Sequence, residues 1–152
     1  MIKKIQISSE GVFKDTLNVV PGRYSLSDGN EFTIVYLKNG FDLTLKMDTK
    51  MFDESIIYTG KGALENNFLA KNSLFEEQTD MGSLLAATEV DFLKGLDKKK
   101  VDDLKRLENT KLDPVFVDLQ KKSIDDNYNG IVRYYKMNYE ANLAKSKLVN
   151  TM

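Results

Sequence analysis

The chain has 152 residues, 41% of them hydrophobic and including eight Phe and seven Tyr, which suits one compact domain or a domain with a helical appendage and excludes a disordered polar tail. Its 22 basic and 23 acidic side chains leave a formal charge of −1, so it lacks the field that draws phosphate backbones, and nucleic acid is not an expected partner. It holds no Cys and no His, which removes disulfides, thiolate nucleophiles, the commonest general base and the commonest zinc ligand; a bound metal would have to be a hard, oxygen-ligated ion.

The first sixty residues carry strand patterning. Ile5 and Ile7 alternate with polar neighbours, as do Leu17 and Val19 beyond a turn at Gly11. After Pro21-Gly22, Tyr24 and Leu26 alternate up to the tight-turn pair Asp28-Gly29. Phe32-Thr33-Ile34-Val35-Tyr36-Leu37 has β-branched and aromatic residues on both faces and reads as a central strand. Asn39-Gly40 reads as a second hairpin turn. Phe41, Leu43, Leu45 and Met47 alternate with Asp42, Thr44, Lys46 and Asp48 in the cleanest half-buried strand pattern of the chain, and Ile56-Ile57-Tyr58 makes a last short strand.

At Gly60-Lys61-Gly62 the period changes from two to 3.6. Leu64, Phe68, Leu69 and Phe75 mark a first helix ending near Asp80-Met81-Gly82. Val90, Leu93, Leu96, Val101, Leu104 and Leu107 form one stripe of a second, with Lys98, Lys99 and Asp103 outside it. Asp113-Pro114 supplies an N-cap and first residue for a third. Its stripe runs through Phe116, Leu119, Ile124, Ile131, Tyr134 and Ala141 to about Lys147, with Asn127-Tyr128-Asn129-Gly130 as a candidate break or kink. Strands first and helices afterwards predict an α+β fold. The expectation is an antiparallel sheet or open sandwich of five to six strands over residues 1–62, followed by three helices over 63–152, packed as one domain.

The series Gly11-Val12-Phe13-Lys14-Asp15-Thr16-Leu17, Gly22-Arg23-Tyr24, Asp28-Gly29-Asn30-Glu31, Tyr36-Leu37-Lys38-Asn39-Gly40-Phe41-Asp42-Leu43, Phe52-Asp53-Glu54-Ser55-Ile56 and Gly60-Lys61-Gly62-Ala63-Leu64-Glu65-Asn66-Asn67-Phe68-Leu69-Ala70 resembles the N-terminal region of TlpA-like thiol–disulfide oxidoreductases of the bacterial envelope. In that family a β-rich and helical region precedes a thioredoxin-fold domain carrying Trp-Cys-x-x-Cys. The motif does not occur here, so the resemblance implies a non-catalytic part of a longer, periplasmic or envelope-associated protein. Its partners would be the downstream thioredoxin-fold domain, a client protein or a second copy. No catalytic, cofactor-binding or metal residue is assigned, and no apolar run reaches the roughly 18 residues of a membrane span. No secretory signal is visible, because Ile2-Lys3-Lys4-Ile5-Gln6-Ile7 turns polar too soon.

Several groups invite a functional reading. Gly60-Lys61-Gly62 before a helix could cradle an anion, but it lacks P-loop spacing and is better read as a turn. Asp48, Asp53 and Glu54 could offer calcium ligands, without the pattern of a dedicated loop; Asp28-Gly29-Asn30-Glu31 is explained by hairpin chemistry. Lys98-Lys99-Lys100 and Lys121-Lys122 read as solvated helix faces. Tyr128, Val132, Tyr135 and Tyr139 make a second apolar face on the last helix. Core packing is the commoner explanation for such a face; the functional one is a docking surface built from Tyr128, Tyr135 and Tyr139. A glycan platform, the mark of the alternative reading as a stand-alone peptide- or glycan-binding module, would come from Tyr24, Phe32 or Tyr36.

Overall fold

A computed structural model describes residues 2–108 and 111–150, with side chains through residue 141. The fold is α+β. Its elements are β1 (Gly22–Ser27), β2 (Phe32–Leu37), β3 (Asp42–Lys46), α1 (Phe52–Ser55), β4 (Ile57–Lys61), α2 (Ala63–Gln78), α3 (Met81–Ala86), α4 (Glu89–Glu108) and α5 (Pro114–Asn150). Among the described residues the strands form two separate antiparallel pairs, β1 with β2 and β3 with β4, in place of the expected sheet of five or six. Among the described residues the helices number five, not three. The chain divides within α2 into two compact units, Met1–Ala70 and Lys71–Met152.

In the first unit the expected strands around Ile5 and Leu17 do not form. Residues 2–21 bond locally: Ser8 and Val12 close a turn, and Lys3 pairs with Asp15 at 2.7 Å. Alternation alone makes no strand without a neighbour's peptide groups to pair with. Val19 is buried, with its N–H donated to Asn39 Oδ1 at 3.0 Å, and Asn39 in turn donates to Asn18 Oδ1 at 2.9 Å. The β1–β2 hairpin forms as its Asp28-Gly29 signal predicts, with Gly29 at φ +103° and Tyr24 opposite Val35. Tyr24, Leu26, Val35 and Leu37 face a core with Phe52, Ile56, Tyr58, Leu43 and Leu45.

Asn39-Gly40 turns the chain, with Phe41 N–H bonded to Lys38 O, yet it does not make a hairpin of β2 and β3. The edge of β2 that β3 would need is occupied. Asn66 on α2 accepts the Tyr36 N–H at 2.8 Å and donates to the Tyr36 carbonyl at 2.9 Å. The next residue does the same for the other pair: Asn67 accepts from Tyr58 N–H at 2.9 Å and donates to Tyr58 O at 2.8 Å. Each asparagine thus substitutes for one residue of a neighbouring strand. This leaves β2 an edge strand, not a central one, with Phe32 64% exposed.

In the second unit α4 and α5 lie antiparallel: Tyr128 meets Asp97, while Lys100 reaches Asp125 and Tyr135 reaches Phe92. Asp80 caps α3 through Ser83 N–H, and Asp113 caps α5 by accepting from Val115 and Phe116 N–H. α5 continues without interruption through Asn127–Gly130. The buried face of α4 is Phe92, Leu96, Asp103 and Leu107, rotated from the expected stripe; Val90 and Val101 point to solvent. On α5, Tyr134 and Ala141 lie outside the buried face that Phe116 and Tyr135 occupy.

Candidate functional site

Packing against Phe92 separates the three tyrosines of α5. Tyr135 is 4% exposed; its ring lies parallel on Phe92 with centroids 3.8 Å apart, and its hydroxyl donates to Ala87 O at 2.8 Å. It is a core residue with a satisfied polar tip, as buried tyrosines generally are. Tyr139 stacks on the outer side of Tyr135, centroids 5.9 Å apart, and is 45% exposed. Tyr128 is half-buried one helical stretch away; its hydroxyl donates to Asp97 Oδ1 at 2.6 Å and the Lys100 ammonium sits 4.8 Å from its ring centre. The Asp97 carboxylate, and secondarily burial, raise its pKa above the usual phenol value. Phe92–Tyr135–Tyr139 is therefore an aromatic stack running from core to surface, and only its last ring is offered to solvent. Phe92 was missing from the sequence stripe, although its i, i+4 relation to Leu96 was available as a signal.

The Lys98-Lys99-Lys100 run does not form a single solvated face. Lys98 is exposed and pairs with Asp102 at 2.8 Å. Lys99 has a side chain 12% exposed and bonds both Asp103 at 2.8 Å and Glu76 at 2.7 Å. Asp103 also receives Arg106, which reaches Asn72 and lies over the Phe75 ring, 4.7 Å from its centre. Burial acts to lower the Lys99 pKa, but the bonds from Asp103 and Glu76 outweigh it and hold the ammonium above its usual value. The i, i+4 and i, i+3 spacings of Lys99, Asp103 and Arg106 are legible in sequence; their burial is not. Lys121 and Lys122 are exposed, the latter paired with Asp126.

Within the first unit the proposed platform residues stay apart. Tyr24 packs toward the core, Tyr36 is fully buried, and Phe32 is exposed on the opposite face from Tyr24. Gly60 and Gly62 have φ of +90° and +104°. A Cβ on Gly60, which lies within β4 opposite Leu43, would overlap Asp42 O, and one on Gly62, in the turn before α2, would overlap the Phe41 ring, so Gly60 serves close approach of the paired strand and Gly62 both the turn and its packing. Asp48 accepts Lys50 N–H and exchanges bonds with Ser55, which holds the loop before α1. Asp53 and Glu54 lie in α1 itself. Among the described residues no three acidic side chains gather as a metal site, and no helix is long and apolar enough to cross a membrane.

No family model, no curated protein and no solved structure matches the chain.

Proposed function

We propose that this chain is a non-catalytic N-terminal region of a TlpA-like envelope thiol–disulfide oxidoreductase, serving to position the redox domain, recognise its client or bring two copies together. The chain has no cysteine, so in this reading the thiol chemistry would belong to the downstream thioredoxin-fold domain. The observation that carries a docking role is the aromatic stack: Tyr139 is half exposed and held from behind by Tyr135 and Phe92. A rigid, partly exposed Tyr loses little freedom on binding, which is what makes such residues effective anchors. Tyr135 supports this surface without belonging to it, and Tyr128 flanks it with a hydroxyl already engaged by Asp97.

The second reading, a stand-alone module for a peptide or glycan, draws only on Phe32, since Tyr24 and Tyr36 do not join it in a platform.

The test is Tyr139→Ala in the full chain, with binding to a separately supplied thioredoxin-fold domain followed by calorimetry. Affinity is expected to fall by about tenfold or more with the melting temperature unchanged. Unchanged affinity would remove α5 from the docking surface; no association of the unsubstituted chain would remove the docking reading. Tyr135→Ala is unsuitable, because loss of a buried ring costs about 3–5 kcal/mol of stability.

A further inference from the structure

Helix α5 carries a second stripe, turned away from the face on which Tyr135 meets Phe92. Gly130, Tyr134, Met137 and Ala141 recur at spacings of four, three and four, the heptad pattern of a helix that packs on another helix. All four are exposed, Tyr134 at 57% and Met137 at 67%. Gly130 is the informative member. It lies inside a continuous helix, has no positive φ, and a Cβ added to it would meet nothing within 4 Å. A glycine in a helix interior weakens the helix relative to alanine, and neither backbone geometry nor packing among the described residues asks for one here. What such a glycine does permit is the close approach of another backbone.

We infer that a second copy of this chain packs on this stripe, its α5 antiparallel to the first across a two-fold axis between Tyr134 and Met137. In that register each Tyr134 ring lies beside the other copy's Met137, a contact of ring and thioether that is favourable in itself. Each Gly130 lies across from the other copy's Ala141, where two small residues let the helices close up. Charge selects the orientation. Arg133 and Glu140 are both exposed and stand two turns apart on one flank of the stripe. Antiparallel packing sets each Arg133 beside the other copy's Glu140, giving two opposite-charge pairs, whereas parallel packing would set Arg133 beside the uncharged Asn138. The inference takes up the self-association that the proposed function allows and names its surface. That surface lies on the side of α5 opposite Tyr139, so it stands or falls apart from docking of a thioredoxin-fold domain there.

A seam of a few helical turns is small, and interfaces below about 1,200 Å² are weak and transient. Sedimentation equilibrium of the full chain is therefore expected to show dimer growing with concentration from about 10 to 500 μM. Arg133→Glu and Glu140→Arg should each weaken the dimer about tenfold, because each turns both cross-copy pairs repulsive. Mixing the two variants in equal amounts should restore association, since the mixed dimer recovers both pairs with their signs exchanged. Gly130→Gln favours the helix but fills the approach, so it should weaken the dimer about tenfold while circular dichroism shows no loss of helix. Tyr139→Ala, on the opposite side, should leave the dimer unchanged. A monomer throughout the concentration range overturns the inference. So does a dimer that Gly130→Gln leaves intact, one that Tyr139→Ala abolishes, or one in which the mixed charge variants associate no better than either alone.

Discussion

Asn66 and Tyr36, thirty positions apart, are joined by both hydrogen bonds that a paired strand would make, and Asn66 spends its remaining amide proton on Gly62 O at 2.9 Å. Both residues are fully buried. A side chain on the first turns of a helix thereby satisfies a strand edge that would otherwise be an orphaned peptide in the core.

Asn66→Ala is expected to lower unfolding free energy by about 3 kcal/mol, since the Tyr36 N–H and C=O would both lose their partner without gaining water. Asn66→Asp should be no better, because a carboxylate cannot donate to the Tyr36 and Gly62 carbonyls. Asn67→Ala, at a half-buried position, should cost about 1–2 kcal/mol. Urea denaturation of the three variants checks the order.

Gly60→Ala should destabilise by about 3 kcal/mol or more, combining left-handed strain with overlap on the Asp42 carbonyl. Gly29→Ala has the same sign of φ but open space around it, so about 1–2 kcal/mol is expected there. Thermal melts that rank the two equally would contradict the packing argument.

Asp103→Ala is predicted to cost about 2–3 kcal/mol, somewhat less than a fully buried pair, because it strips Lys99 and Arg106 of a shared carboxylate while Glu76 remains. Adding Lys99→Met should restore part of the loss. A double-mutant cycle with no coupling between positions 99 and 103 would show the network to be energetically idle.

Burial pushes the Tyr58 hydroxyl up to about 12. A raised folded-state pKa means the neutral phenol is favoured by folding. That contribution is present in full below the unfolded value near 10 and is lost as pH rises from there through about 12. Tyr58→Phe should flatten the alkaline limb of the stability curve between those values. An identical alkaline limb in the variant would assign the loss to other groups.

The α+β class, strands β1 to β4, the Asp28-Gly29 hairpin, the glycine turn into α2 and the Asp113-Pro114 start of α5 were legible, because turn chemistry and periodicity act locally. The partners were not. Pairing of β3 with β4 instead of β2 depends on Asn66, whose sequence context is an ordinary helix start. Leu64 and Phe75 were apolar by pattern yet are exposed, while Glu65 and Asn66 are the buried residues of α2. A hydrophobic stripe cannot reveal a helix face chosen for hydrogen bonding. At the candidate site, Tyr135 and Tyr139 looked equivalent; Phe92 distinguishes them, from another helix more than forty residues away.

The adjacency of Asn66 and Asn67 also fixes an angle. Successive residues of an α-helix project about 100° apart around its axis, so the edges of β2 and β4 meet the helix from directions about a quarter-turn apart. The corner between the two strand pairs thus follows helical pitch. One residue inserted between Asn66 and Asn67 would swing one amide away from its strand and open that corner.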